Sequence, residues 1–226
     1  MICLPIKAVV FDLDGTLVAF RLDYLSIRSE AIQALAKLGL PPSLFSIRES
    51  IFKMYDTAVL YLKNNGGETS TQRVYSAIFS IAERYELEAA RQTELIPGVI
   101  ETLTILKDMG LKLGLCTVDG ARATKFILTK FGLDQLLDLV VTREQVSGVK
   151  PDTSHLQAVL IPLNVVPTEV VVTGDHEVDM RMAKAVNATA VGVTTGFSTR
   201  ESLLNSGADY VIPSIVELPK VIRNFQ

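Results

Sequence analysis

Two carboxylates, Asp12 and Asp14, stand in Asp12-Leu13-Asp14-Gly15-Thr16, directly after the apolar run Ile6-Lys7-Ala8-Val9-Val10-Phe11. A second pair, Asp175 and Asp179, follows Glu169-Val170-Val171-Val172-Thr173-Gly174. Between them, Thr117 ends the run Leu111–Cys116, and Lys150 lies just past Leu139-Val140-Val141. Carboxylates gathered in one crevice repel, so some must be protonated or neutralised by a cation. An oxygen-only donor set favours a hard ion, and Mg²⁺ suits a few carboxylates together with water and phosphate. Lys150 adds a fixed positive charge and Thr117 a hydroxyl. The turn from Leu13 to Thr16 adds backbone N–H groups that can form an anion-binding concavity. The set describes a site for a dianionic phosphate with a carboxylate placed to attack it.

These residues converge only if the elements that carry them are neighbours. The β-branched run before Asp12 reads as a buried strand that ends in a polar turn. From about Leu22 to Arg91 the pattern becomes helical. Ile27, Ile32, Leu35 and Leu38 recur at helical spacing until Gly39-Leu40-Pro41-Pro42. A second helix is expected from Leu44 to Leu62, closed by Asn64-Asn65-Gly66-Gly67, and a third from about Thr71 to Ala90. After Pro97-Gly98, helices and strands alternate. The expected helices are Val99–Met109, Ala121–Phe131, Thr153–Ile161 (stopped by Pro162) and Met180–Val186. Strands are expected at 111–116, 139–141, 169–173 and 189–193, and a last strand and helix close the chain. Strands separated by helices imply parallel crossovers and a doubly wound α/β sheet, a Rossmann-like core. In such a sheet, ligands bind outside the carboxyl ends of the strands. The expected core covers 1–17 and 96–226, and 18–95 forms an inserted all-helical cap domain.

Composition narrows the function classes. Of 226 residues, 48% are hydrophobic, which excludes disorder, and the net charge of −3 gives no bulk positive field for nucleic acid. No apolar run approaches the ~20 residues of a membrane span, although the mean hydropathy is +0.32. The amino terminus lacks the features of a secretory leader, and Cys3 and Cys116 alone provide no disulfide framework. A cytoplasmic protein is the expectation. His155 and His176 read as a helix-surface side chain and a turn residue rather than metal ligands, and Cys116 as a small buried hydrophobe. Taken singly, Thr117 reads equally as a turn hydroxyl, Lys150 as an exposed loop lysine and Asp179 as a helix-start residue. Arg21, Arg28, Lys63 and Arg73 in the insert are candidate contacts for a second anionic group.

Asp12-Leu13-Asp14-Gly15-Thr16-Leu17 resembles the first motif of the haloacid dehalogenase-like phosphohydrolases. Thr117, Lys150-Pro151 and Gly174-Asp175-His176-Glu177-Val178-Asp179 stand where that family has its second, third and fourth motifs. Pro97-Gly98-Val99 is similar to its return from cap to core, and the overall pattern is similar to phosphoglycolate phosphatase-like members. The resemblance implies that Asp12 is the nucleophile and Asp14 the acid and base. It implies that Thr117 and Lys150 bind the phosphoryl group. Mg²⁺ is then held by Asp12, the backbone carbonyl of Asp14, Asp175 and Asp179, the last directly or through water. The chain departs at Val118-Asp119, where relatives often carry Asn, and at Val18-Ala19-Phe20-Arg21, which replaces a polar pair. The reading is a Mg²⁺-dependent hydrolase of a small phosphorylated metabolite, acting through an aspartyl-phosphate. A phosphosugar mutase and a non-enzymatic phospho-accepting signalling domain are the alternatives. Asp14 disfavours a dehalogenase, which needs no leaving-group acid. The physiological substrate and oligomeric state stay open.

Overall fold

Every residue of β1 (Ala8–Phe11) is buried, as befits a strand covered on both faces. In the computed structural model, residues 5–19, 22–65 and 69–225 are described, so Cys3, Arg21 and Gly66-Gly67 lie outside the described residues. After β1 come β2 (Val18–Ala19), α1 (Tyr24–Lys37), α2 (Ile51–Asn65), α3 (Thr71–Gln92) and β3 (Glu94–Leu95). Then follow α4 (Val99–Asp108), β4 (Lys112–Cys116), α5 (Ala121–Phe131), β5 (Leu139–Val141), α6 (Thr153–Leu163) and β6 (Val170–Gly174). The chain closes with α7 (Glu177–Ala185), β7 (Thr189–Val193), α8 (Arg200–Asn205), β8 (Tyr210–Ile212) and α9 (Leu218–Arg223).

Six strands form one sheet in the order β5-β4-β1-β6-β7-β8, and every pair in it is parallel. From β1 the chain builds outward on one side through β4 and β5, then crosses to the other side for β6, β7 and β8. That reversal of direction beside β1 is the switch point at which such sheets bind ligands. Phe11 is in register with Leu115 of β4 and Thr173 of β6, so Asp12, Thr117 and Asp175 all leave the sheet at one edge. Alternate residues of β1 serve opposite cores. Val9 and Phe11 pack with Val99, Leu103, Leu106, Ile127 and Ile222. Ala8 and Val10 pack with Leu156, Val159, Leu160, Met180 and Ala183 on the other face. This is the doubly wound α/β architecture expected from the strand–helix alternation.

The chain divides into two compact units, one of residues 1–21 and 90–226 and one of Leu22–Ala89. The second is helical. Its core joins Ala31 and Leu35 of α1, Met54 and Ala58 of α2, and Val74, Ile78 and Phe79 of α3. Asp23 caps α1 by accepting the Ser26 N–H at 3.0 Å. In the first unit, β2 and β3 form a two-stranded antiparallel ribbon in which Val18 faces Leu95 and Ala19 faces Glu94.

Several boundaries differ from the sequence reading. α2 begins at Ile51, not Leu44, because Pro42–Leu44 makes a 3₁₀ turn and Phe45 is extended. The Ser50 hydroxyl accepts the Lys53 N–H at 3.2 Å, which starts the helix there. α6 runs through Pro162 to Leu163 and stops at Asn164 in the left-handed conformation, so Pro162 does not end it. β2, β3 and α8 are additions. Among the described residues, no helix is long and apolar enough to cross a membrane.

Candidate active site

The turn after β1 places the first carboxylate at the edge of the sheet. The Asp12 N–H continues the ladder by donating to the Thr173 carbonyl at 2.9 Å. The chain then tightens, with the N–H groups of Thr16, Leu17 and Val18 all directed to the Leu13 carbonyl. Gly15 adopts φ +72°, where a Cβ would stand 2.5 Å from Asp175 Oδ2, so this turn needs glycine on both conformational and steric grounds. The Thr195 hydroxyl ties the turn to the loop after β7 by donating to the Gly15 carbonyl at 2.5 Å.

Four charged groups meet there. Lys150 Nζ donates to Asp12 Oδ1 at 2.5 Å and to Asp179 Oδ1 at 2.7 Å. Asp12 Oδ2 accepts a bond from Thr16 Oγ1 at 3.4 Å. Asp175 Oδ2 accepts the Phe197 N–H at 2.5 Å, and Asp179 Oδ2 accepts the His176 N–H at 3.3 Å. Asp12, Asp175 and Asp179 are all buried, and each offers a carboxylate oxygen within 4.8 Å of the others. Asp14, half-buried in the turn, is not one of the three. Thr117, at the end of β4, is buried; its N–H donates to the Val141 carbonyl at 3.0 Å and its Oγ1 accepts the Asp119 N–H at 3.1 Å. Lys150 is only 7% exposed, so it is no surface lysine of a solvated loop.

Burial and the neighbouring charges set the electrostatics. Burial raises the Asp12 carboxyl well above the ordinary range; Lys150 opposes this, while Asp179 and Asp175 add to it. Burial also raises Asp175, against the pull of the Phe197 N–H. For Lys150, burial alone would lower the ammonium, but Asp12 and Asp179 outweigh it and hold it well above the usual lysine value. Lys150 is thus a permanent cation in a site whose acids repel one another.

The family model for the haloacid dehalogenase-like hydrolases matches residues 9–193, most of the chain, and takes in Asp12, Asp14, Thr117, Lys150, Asp175 and Asp179. The chain belongs to that family. A phosphoglycolate phosphatase from Cereibacter sphaeroides is 32% identical over 203 residues, covering 84% of this chain and 85% of the relative. A phosphoglycolate phosphatase from Mannheimia succiniciproducens is 27% identical, covering 96% and 98%. Among solved structures, a hydrolase from Pseudomonas syringae superposes with a TM-score of 0.69 at 25% identity, covering 97% of this chain and 99% of that one.

Haloacid dehalogenase-like phosphatases generally use Mg²⁺, and the donor set here fits such an ion. Three buried carboxylates against one ammonium leave an excess of two negative charges, the charge of one divalent cation, and all the candidate donors are oxygen. Gly15 and Gly196 both abut the Asp175 carboxylate where a Cβ would overlap it. Asp175 is therefore held by backbone on one side, with one oxygen committed to Phe197.

One residue of this hydrolase behaves differently from the sequence reading, and another was not singled out. His155 is not on the helix surface: it is fully buried, and its Nδ1 accepts the Lys150 backbone N–H at 3.3 Å. Its spacing with Val159 and Leu163 on α6 was the available signal. His176 is the cap of α7, accepting the Val178 N–H at 3.3 Å, and its ring lies 5.6 Å from that of Phe197. Arg143, buried just after β5, donates from Nη1 to the Val118 carbonyl at 3.3 Å. A Cβ on Gly120 would stand 2.5 Å from its Nη2, so the guanidinium supports the segment that follows Thr117. A cation in a short loop carries no periodic signal. Cys116 is buried as expected, and burial pushes its thiol up to about 12. Arg28 lies over the Tyr24 ring and donates to the Ile47 carbonyl, while Lys63 and Arg73 are exposed.

Burial, with Lys150 beside it, pushes the His155 imidazole down to about 4; the Val141 carbonyl and Asp152 act the other way and are outweighed. The folded protein therefore binds this proton less readily than the unfolded chain. The resulting stability is complete above the ordinary histidine value near 6.5 and is lost as pH falls through about 4. Relative to His155→Asn, the wild type is expected to lose roughly 2–3 kcal/mol of unfolding free energy between pH 7 and about pH 4.5. Denaturant titrations of both proteins at the two pH values measure it, and parallel losses would refute it.

Proposed function

We propose that this chain is a Mg²⁺-dependent phosphatase that hydrolyses a small phosphorylated metabolite, of the phosphoglycolate type, by way of Asp12. The observation that carries the reading is the Lys150 ammonium, which bridges Asp12 and Asp179 at the switch point of the sheet, with Asp175 alongside. An oxygen of Asp12 attacks phosphorus, the ester P–O bond breaks, and the departing oxygen takes the proton of Asp14. Water then attacks the aspartyl-phosphate and gives its proton to Asp14, releasing inorganic phosphate and restoring the Asp12 carboxylate. Lys150 orients Asp12 and balances charge on the transferring group, and Thr117 offers its hydroxyl to a phosphoryl oxygen. Asp12 and Asp175, with the Asp14 carbonyl, would hold Mg²⁺, which when bound stabilises the charge on the phosphoryl oxygens. Asp179, with one oxygen on Lys150 and the other on the His176 N–H, supports this shell through water. Most of the rate then comes from placement and charge stabilisation, as a loose phosphoryl-transfer transition state requires. The helical unit at 22–89 takes the role of a cap that admits a small substrate.

A receiver-type signalling domain does not account for the helical unit that follows β1. A mutase would require a sugar-phosphate acceptor to complete its cycle. The purified protein is expected to release phosphate from an aryl phosphate and from phosphoglycolate with Mg²⁺ and to stop with a chelator. In the same buffers, Mg²⁺ at about 100 times its Kd should stabilise the fold by about 2.7 kcal/mol. Chelator-resistant hydrolysis, or turnover only with an added acceptor, would overturn the proposal.

A further inference from the structure

We infer that His155 is a positioning residue for Lys150: its neutral imidazole Nδ1 fixes the Lys150 backbone amide, and thereby the ammonium between Asp12 and Asp179. The inference deepens the phosphatase reading and, for its effect on rate, rests on it. Lys150 lies in the segment between β5 and α6, so its buried amide has neither a ladder nor a helix carbonyl to bond. An orphaned buried N–H is costly, and His155 Nδ1 at 3.3 Å is the acceptor that satisfies it. With Nδ1 accepting, the ring proton sits on Nε2.

The position itself favours a hydrocarbon. His155 is one of the buried residues of α6, together with Leu156, Val159, Leu160 and Leu163, which pack into an apolar cluster. A fully buried imidazole there loses hydration, and its depressed pKa records that cost. The bond from the Lys150 amide offsets part of that cost. The same short segment is closed elsewhere: Ser154 Oγ donates to the Gly148 carbonyl at 3.2 Å, and the Ser154 N–H donates to Asp152 Oδ1 at 2.8 Å. Those bonds shape the start of α6. The His155 bond joins α6 to the residue whose ammonium holds the nucleophile.

Three substitutions separate this role from simple packing. His155→Asn places a carbonyl oxygen near the Nδ1 position, His155→Gln places it near Nε2, and His155→Leu removes the acceptor altogether. In amide hydrogen exchange of the ¹⁵N-labelled full chain, the Lys150 amide should exchange about tenfold or more faster in the Leu and Gln variants and within about threefold of wild type in the Asn variant. Amides of β1 and β6 should be unchanged. On an aryl phosphate with Mg²⁺, kcat should fall about tenfold in the Leu and Gln variants, with KM within about twofold, and recover in the Asn variant. Unchanged Lys150 exchange in both Leu and Gln variants would overturn the inference, as would equal losses in all three. If His155→Leu does not fold, the Asn–Gln contrast decides. If the wild type releases no phosphate, the phosphatase reading falls, and the exchange comparison still decides whether His155 holds the Lys150 amide.

Discussion

Replacement of Asp12 by Asn is expected to lower phosphate release by about 10³-fold or more, with thermal stability close to that of wild type. The size of the loss follows from chemistry, since an amide oxygen is a poor nucleophile and cannot form the acyl-phosphate. The retained fold follows from geometry. Asn keeps a carbonyl oxygen that can still accept the Lys150 bond now made by Oδ1, and it removes one of three mutually repelling charges. Steady-state phosphate release and a thermal melt check both halves. In the wild type, acid quenching during turnover should leave a hydroxylamine-labile phosphate on the peptide that contains Asp12. Near-normal turnover in the variant, or label on another peptide, would remove Asp12 as the attacking group.

Lys150→Met separates structural from catalytic use of charge. The ammonium contacts two buried carboxylates, and taking away one partner of a buried pair typically costs about 3–5 kcal/mol. Metal-free Lys150→Met should be destabilised on that scale in denaturant titrations. Saturating Mg²⁺ should restore more stability to the variant than it adds to the wild type, because the dication supplies the missing counter-charge. Activity should nevertheless stay down by about 10²-fold or more, since Asp12 then lacks the ammonium that orients it and the phosphoryl group loses that counter-charge. A metal-free variant as stable as wild type would show that the ammonium is not the counter-ion of this cluster.

The residues that are buried on both faces of the sheet were the most legible. Ala8–Phe11, Lys112–Cys116 and Val170–Gly174 are short apolar runs closed by polar turns, and strand ends of a parallel sheet are where polar groups converge. Asp12, Asp14, Thr117, Lys150, Asp175 and Asp179 could therefore be proposed as one site from the sequence, and the contacts among Asp12, Lys150, Asp175 and Asp179 join four of them. Where a single pairing or a single cap decides, periodicity is silent. β2 and β3 hold two residues each and exist only because they pair with one another. The start of α2 depends on the Ser50 hydroxyl, and six residues of α8 are too few to display a repeat. His155 was misplaced because its polarity outweighed its position on an apolar stripe. The depth of Lys150 followed from three-dimensional convergence, which residue type alone does not reveal.

The ribbon of Val18–Ala19 with Glu94–Leu95 has a further consequence. Its strands are hydrogen-bonded, so the polypeptide departs for its helical excursion and comes home at points about 5 Å apart. A detour anchored at so narrow a gate leaves the sheet indifferent to its length or shape. The helical unit can thus change in length or shape without rebuilding the strand ends.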